Sequence, residues 1–179
     1  MSSASEFSRR SLLRAGLPAA GGLIVAGGGH AASGGEEPEP GDIPRLEYVY
    51  TAHVGIAKPV DFGDTPDGHR RVIPITGGTF EGPKIRGLVL PGGADWNLSR
   101  SDGATVVEAS YYMKTDDGVV IRITNAGVGG PPLGLRFTTP RFEAPKGKYD
   151  WLNRSVFVGT LGFEPGSKEP IRIRVFRVA

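Results

Sequence analysis

The sequence predicts an all-β fold, a single antiparallel up-and-down-like β-barrel of eight or nine strands. Glycine and proline contribute 28 and 15 of the 179 residues, against a combined average of roughly 12% of residues, which disfavours long helices. Apolar and polar residues alternate along several segments with the period of two that is typical of strands. Turn-forming residues separate these segments at short intervals, as in a chain of hairpins.

The first 32 residues resemble a twin-arginine signal peptide. Arg9 and Arg10 precede Leu12 and Leu13, and a mild apolar stretch of small residues follows. That stretch is shorter than the roughly 20 apolar residues that a stable membrane span needs. We expect cleavage after Ala31 or Ala32 and export to the periplasm or the extracellular space, with the twin-arginine export machinery as a partner.

Residues 33–41 contain glycine, glutamate and proline but no large apolar side chain, which predicts a flexible acidic linker. The barrel domain is therefore expected over residues 42–179. The leader carries Arg9, Arg10 and Arg14 against Glu6, so the rest of the chain has 18 basic and 18 acidic residues. A balanced charge of this kind gives no support for nucleic-acid binding.

The first predicted strand covers residues 45–57, in which every second residue from Leu46 to Ile56 is apolar or small. This alternation indicates one buried face, which would include Tyr48, Tyr50 and Val54. Clusters of Gly, Asp and Pro bound the other predicted strands. These strands cover residues 71–76, 84–90, 94–99, 105–115, 119–126, 133–139, 151–160 and 170–178.

Connections this short join antiparallel neighbours, because a parallel crossover needs a dozen or more residues. A meander must cover its edges and one apolar face, and it does so as a closed barrel or as two packed sheets. Segments 45–57 and 105–115 exceed ten residues, which suits the tilted strands of a barrel. The two-sheet β-sandwich remains the alternative.

Several kinds of chemistry have no motif in this sequence. Cysteine is absent, so disulfides and thiolate chemistry are excluded. Gly127–Gly130 resembles a dinucleotide-binding loop, but Pro131 and Pro132 stand where its helix would begin. His53 and His69 are too far apart in the sequence to indicate a shared metal ion. No sequence motif indicates a cofactor, and the identity of any cofactor is unknown.

Acidic and aromatic residues gather beside the predicted turns, where a barrel mouth would bind a small, partly apolar ligand. The candidates for proton transfer are Asp95, Asp116, Asp117 and Glu81. The candidates for ligand binding are Trp96, Tyr149, Trp151 and Asn153. We expect Asp95, Trp96, Asp116, Asp117, Trp151 and Asn153 to converge around one cavity, because barrel closure brings turns at one end together.

Each of these candidates has a structural alternative. Trp96 and Trp151 would then plug the ends of the barrel, the Asp116–Asp117 pair would serve its turn, and Glu81 would lie at a glycine-rich barrel corner. Three functions therefore stay open. They are an isomerase or lyase that transfers a proton, a carrier or sensor without catalysis, and a module that self-associates through exposed aromatic residues to form a homo-oligomer.

Four sequence blocks taken together resemble the DUF3237 family, also called UPF0311. They cover residues 71–83, 90–96, 115–118 and 149–153, and the resemblance extends from Leu46 to Val178. It implies a small antiparallel β-barrel for residues 42–179. It supplies no established reaction and no catalytic residues, so the candidate site depends on residue chemistry alone.

Overall fold

The computed structural model describes residues 39–131 and 134–179. Ten β-strands and one short 3₁₀ helix lie within these residues. The strands are β1 (Leu46–Ile56), β2 (Val60–Thr65), β3 (Gly68–Glu81), β4 (Arg86–Val89), β5 (Ala94–Ser99), β6 (Thr105–Thr115), β7 (Val120–Gly129), β8 (Phe137–Glu143), β9 (Phe157–Phe163) and β10 (Ile171–Val178), and the 3₁₀ helix is Asp150–Arg154. The all-β prediction is confirmed.

The strands close into one antiparallel barrel. β1 pairs with β10 on one side and with β3 on the other, and the pairing continues through β4, β6, β7, β8 and β9 back to β10. Eight strands thus form the closed wall, with β2 and β5 as two additional strands. Closure confirms the barrel and excludes the two-sheet sandwich. Each strand of the wall is therefore paired on both sides, which protects the sheet from edge-to-edge association.

β4 and β5 lie one after the other in the same place in the wall, between β3 and β6. They run in the same direction, since both pair antiparallel with β3 and with β6. The sequence predicts a hairpin turn at residues 91–93, and that prediction is wrong. These residues form a kink at which the backbone of Gly93 approaches β6. A Cβ on Gly93 would lie 2.2 Å from the Ser110 carbonyl oxygen, and its φ is +82°. Only glycine fits this kink without strain.

The predicted inner face of β1 is correct only from Tyr50 onward. The register with β10 shifts between Tyr48 and Tyr50, which is the signature of a β-bulge. Val49 therefore packs in the core at 4% exposure, whereas Tyr48 faces outward at 44%. The alternation of apolar residues continues through the bulge, so the sequence contains no sign of it.

Other strand boundaries differ where turn-like residues are built into strands. The Asp and Gly residues of β2 predict a turn in place of that strand, and β3 begins three residues before the predicted start. Residues 151–154, expected to open the strand predicted over 151–160, belong to the 3₁₀ helix instead, and β9 follows at Phe157. By contrast, β5 and β6 have the predicted bounds.

An aromatic cluster fills one end of the barrel. Tyr50 contacts Phe80 and Phe142 edge to face, with ring centroids 5.6 and 6.3 Å apart, and Phe142 contacts Phe157 at 4.7 Å. Leu152 of the 3₁₀ helix is buried against the same cluster at 1% exposure. This is the closed end of the barrel, and the opposite end contains a cavity.

Two further findings concern only residues 39–131 and 134–179. These residues include no helix long and apolar enough to cross a membrane. They include no group of three or more His, Asp or Glu side chains placed to hold a metal ion. The expected signal peptide, including Arg9 and Arg10, and most of the expected linker lie outside the described residues.

Candidate functional site

A cavity of about 90 Å³ lies inside the barrel at the end opposite the aromatic cluster. Half-buried apolar residues surround it on the outer side, and buried residues form its inner wall. Its wall is apolar except for a few polar side chains. The lining residues are Val54, Ile56, Ile73, Ile75, Asp95, Val107, Ala109, Tyr111, Asn125, Thr138, Leu161, Ile171 and Ile173.

The strand register places two polar residues of this wall on either side of an alanine. Asp95 pairs with Ala109, and Ala109 pairs with Asn125, so the three side chains point to the same face of the sheet. Asp95 and Asn125 are two strands apart, roughly 10 Å between Cα atoms. The small side chain of Ala109 leaves the space between them open.

The rows above and below complete the wall. Towards the closed end, Tyr111 pairs with Ile123 and forms the floor of the cavity. Towards the open end, Val107 pairs with Gly127, which has no side chain. The cavity therefore narrows on an aromatic ring towards the closed end, whereas atoms of Phe137, Thr138 and Leu135 fill the space beside Gly127.

Asp95 is the carboxyl group of this cavity. Burial raises its pKa, although the backbone N–H of Glu108, the side chain of Asn97 and the charge of Arg71 oppose the shift. The Glu108 N–H donates to Asp95 Oδ1 at 2.9 Å, and Arg71 donates to the buried Asn97 Oδ1 at 2.9 Å. Such hydrogen bonds fix the carboxyl group while burial keeps its proton affinity high, which suits a group that accepts and returns a proton.

Two further polar atoms of the wall have no partner. Asn125 and Thr138 are 3% and 2% exposed, and neither Asn125 Oδ1 nor Thr138 Oγ1 has a hydrogen bond within the described part of the chain. A buried polar atom without a partner costs free energy unless something binds it. Both residues line the cavity, so their free hydrogen-bonding capacity is available to a bound molecule.

Tyr111 supplies the fourth polar group. Its side chain is 2% exposed, and burial raises the pKa of its phenol. The hydroxyl therefore stays protonated over the physiological range and is available as a hydrogen-bond donor.

Asp116 and Asp117 lie far from this cavity. They follow the last residue of β6, and the nearer of them, Asp116, is seven positions beyond Ala109, which corresponds to ~23 Å along a strand. The expected convergence of Asp95 with Asp116 and Asp117 is therefore wrong. The cause is the β4–β5 kink, because counting it as a turn assigns Asp95 to the wrong end of the barrel.

Asp117 is tied into the closed end instead. Lys148 Nζ donates to Asp117 Oδ2 at 2.8 Å, and the Tyr149 hydroxyl donates to Oδ1 at 2.9 Å. Together with a hydrogen bond from Thr115, these contacts lower the pKa of Asp117. Its neighbour Asp116 pairs with Arg86 at 2.8 Å on the surface. The adjacent Asp116 carboxylate therefore does not raise the pKa of Asp117.

The aromatic and amide candidates around the 3₁₀ helix contact protein rather than open space. Trp151 packs on the core, with its ring 6.1 Å from that of Phe157. Asn153 accepts a hydrogen bond from the Ala144 N–H and donates to the Ala144 carbonyl, both at 2.8 Å. Tyr149 is buried, with its hydroxyl on Asp117. These contacts cover the closed end of the barrel.

Trp96 and Glu81 face outward. Trp96 is 45% exposed on β5, in register with Val72 and, through it, with Val60 of β2. Glu81 lines an open surface groove of about 760 Å³ that also includes Tyr48 and Arg86. Of the eight candidates, only Asp95 therefore lies in the interior cavity.

Sequence reasoning missed Ala109, Tyr111, Asn125 and Thr138. Asn125 had a usable signal, because it continues the inward alternation of Ile121 and Ile123 and so predicts a polar group inside the barrel. Thr138 had none, since threonine is equally common on either face of a strand.

The sequence and the fold both match known proteins. A UPF0311 protein of Rhodopseudomonas palustris is 36% identical over 135 residues, which cover 65% of this chain and 88% of that protein. The crystal structure of a β-barrel-like protein from Acinetobacter baumannii has a TM-score of 0.69 and 32% identity, and it matches over 80% of this chain and 99% of its own.

A fungal relative is described as an enzyme. The hydroalkoxylation enzyme of Penicillium herquei is 28% identical over 118 residues, 65% of this chain and 74% of that protein. The crystal structure of an enzyme from the same organism has a TM-score of 0.64 and 25% identity, over 81% of this chain and 99% of its own. The family model described as "Protein of unknown function (DUF3237)" matches residues 44–178. The chain thus belongs to the DUF3237 family.

Proposed function

We propose that this chain is an exported enzyme that binds a small, partly apolar molecule in the interior cavity and transfers a proton within it. The observation that carries the proposal is the Asp95 carboxyl group, which faces an apolar cavity and whose pKa is raised by burial. A carboxyl group whose pKa is raised in this way can both give and take a proton.

The reaction that we propose is the addition of a hydroxyl group across a carbon–carbon double bond. Hydroalkoxylation is the activity in the name of the Penicillium herquei relative. This addition is neutral in atoms and electrons, because the hydroxyl loses one proton and an alkene carbon gains one. The protein therefore has to supply a proton donor, a proton acceptor and a site that holds the reactants together.

One carboxyl group can fill both proton-transfer roles. In the proposed step Asp95 gives its proton to one alkene carbon, the substrate oxygen bonds to the other, and the Asp95 carboxylate takes the hydroxyl proton. The double bond becomes single, one C–O bond forms, and Asp95 ends as it began. The contacts of Asp95 with the Glu108 N–H and Asn97 would hold it in place through both transfers.

A suitable probe is 2-(2-methylallyl)phenol, which would close to 2,2-dimethyl-2,3-dihydrobenzofuran of the same composition. We expect the full chain to accelerate this closure and Asp95→Asn to lower the rate by a factor of about 100 or more, since an amide cannot exchange the proton. Asp67→Asn, an exposed carboxylate in the β2–β3 turn, is the matched control and should leave the rate unchanged.

The same assay separates the alternatives. Binding of the probe without closure, unaffected by Asp95→Asn, would indicate a carrier instead of an enzyme. Loss of closure in Asp116→Asn but not in Asp95→Asn would move the chemistry to the other end of the barrel and overturn the assignment.

We also propose export through the twin-arginine pathway, which the sequence of residues 1–32 supports. Replacing both Arg9 and Arg10 by lysine should leave the precursor in the cytoplasm. Arg14→Lys preserves the arginine pair and is the control. Normal export of the double variant would refute this part of the proposal.

A further inference from the structure

Four polar side chains line the interior cavity, and the proposed chemistry uses only Asp95. Asn125 and Thr138 lie on the other side of Ala109, on β7 and β8. Their unpartnered oxygens are two of the four buried side-chain polar atoms without a hydrogen bond in the described part of the chain. The other two, Tyr50 Oη and Arg71 Nε, belong to residues that do not line this cavity.

The two residues are diagonal neighbours in the sheet. Asn125 pairs with Pro140, and Thr138 precedes Pro140 by two residues on the same face of β8. Diagonal neighbours of this kind are within reach of one bound group. Gly159 pairs with Thr138 across to β9, and a Cβ there would lie 2.3 Å from Thr138 Oγ1. The hydroxyl of Thr138 therefore lies where the side chain of any residue other than glycine at position 159 would be.

The chemistry of the two oxygens restricts what can bind them. Asn125 Oδ1 only accepts hydrogen bonds, so its partner must carry a donor. Thr138 Oγ1 both donates and accepts. A hydroxyl group satisfies both, because it donates one hydrogen bond and accepts others. An ionised carboxylate or phosphate has no donor for Asn125 Oδ1, and burial of its charge in an apolar cavity is costly.

We infer that the cavity selects an uncharged alcohol or phenol that has a hydroxyl besides the one that reacts at Asp95. This hydroxyl binds Asn125 Oδ1 and Thr138 Oγ1, while the apolar body of the molecule faces Ala109 and the isoleucines of the wall. This inference rests on the proposed ligand site and specifies its substrate class. It assigns Asn125 and Thr138 to substrate positioning, separate from the proton transfer by Asp95.

Phenol and toluene form a matched pair of probes, since they have similar size and differ by a hydroxyl in place of a methyl group. We expect the full chain to bind phenol at least tenfold more tightly than toluene by titration calorimetry or ligand-observed NMR. In Thr138→Val and Asn125→Leu, which nearly conserve side-chain shape, the preference should fall by about fivefold to tenfold each.

Two controls keep the result interpretable. Ala109→Leu fills the space between Asp95 and Asn125 and should abolish binding of both probes, whereas binding that persists would place the probes on the surface. Thermal unfolding and circular dichroism show whether each variant is folded, and Thr138→Val carries the test if Asn125→Leu does not fold.

The inference is overturned if toluene binds as tightly as phenol, if phenol does not bind, or if both variants keep the preference of the wild type. These outcomes differ from a failure of the proposed reaction. That failure would appear as an unchanged closure rate in Asp95→Asn, and this variant retains both hydroxyl-binding atoms.

Discussion

Asp95 and Asp117 illustrate how the same side chain acquires opposite properties from its neighbours. Burial raises the pKa of Asp95, whereas Lys148, Thr115 and Tyr149 lower the pKa of Asp117. The sequence predicts both residues as site candidates because both lie beside predicted turns. It could not separate them, because the Glu108 N–H that contacts Asp95 and the Tyr149 hydroxyl that contacts Asp117 are 13 and 32 positions away in the chain.

Asp117→Asn should lower the thermal midpoint at neutral pH, because the lowered pKa means that the ionised carboxylate stabilises the folded state. That stabilisation is present above the unfolded-state pKa of about 3.9 and is lost as the pH falls through the lower folded-state pKa. We therefore expect the difference from wild type to be largest near pH 7 and to shrink below pH 4, as measured by calorimetry. A difference that grows in acid would contradict this account.

Asp95→Asn should have the opposite effect. A raised folded-state pKa means that ionised Asp95 destabilises the folded state, and this cost develops as the pH rises from about 3.9 through the folded-state pKa. The asparagine variant should unfold at a higher temperature than wild type at pH 7 and at a similar temperature near pH 3. A lower midpoint at pH 7 would show that the carboxylate is stabilising.

At the scale of elements, the boundaries that follow from alternation alone are the ones that the sequence predicts best. β5 and β6 agree with prediction, whereas the β1 bulge, the β4–β5 kink and the 3₁₀ helix do not. Each of these irregularities depends on a close contact with another strand or on packing against the aromatic core. Local propensity carries no information about such contacts.

Gly82, next to the end of β3, makes one such contact. A Cβ at this position would lie 1.9 Å from the carbonyl oxygen of Val49, the bulged residue of β1. Gly82→Ala should therefore destabilise the fold by about 1–3 kcal/mol in urea unfolding, since β1 and β3 would have to separate. Gly41→Ala is the control, because no atom lies within 4 Å of the point that its Cβ would occupy. Equal midpoints for the two variants would refute this role.

At the scale of the whole molecule, closure of the barrel determines which residues meet. The aromatic cluster fills one end, and the small side chain of Ala109 leaves space in the other. The sequence predicts the barrel but assigns its candidates to a single mouth. The structure places Asp117, with its partners Lys148 and Tyr149, at the closed end and the cavity at the opposite end. Only Asp95 therefore keeps its place in the proposed site.

The chain has no cysteine, so no disulfide contributes to the stability of the barrel. We expect residues 42–179 to fold alone, with a far-ultraviolet circular dichroism spectrum dominated by β-structure and no change on adding a reductant. A helical or disordered spectrum would show that the first 41 residues are needed for folding.

The proposed function depends most directly on the protonation of Asp95. Carbon-13 NMR of the aspartate carboxyl groups, with Asp95→Asn to assign the signal, measures its titration in the folded protein. We predict a midpoint for Asp95 clearly above the ordinary value of about 3.9 and above that of Asp117. A midpoint at or below the ordinary value would mean that the carboxyl group is not desolvated in the cavity, and it would contradict the proposed role in proton transfer.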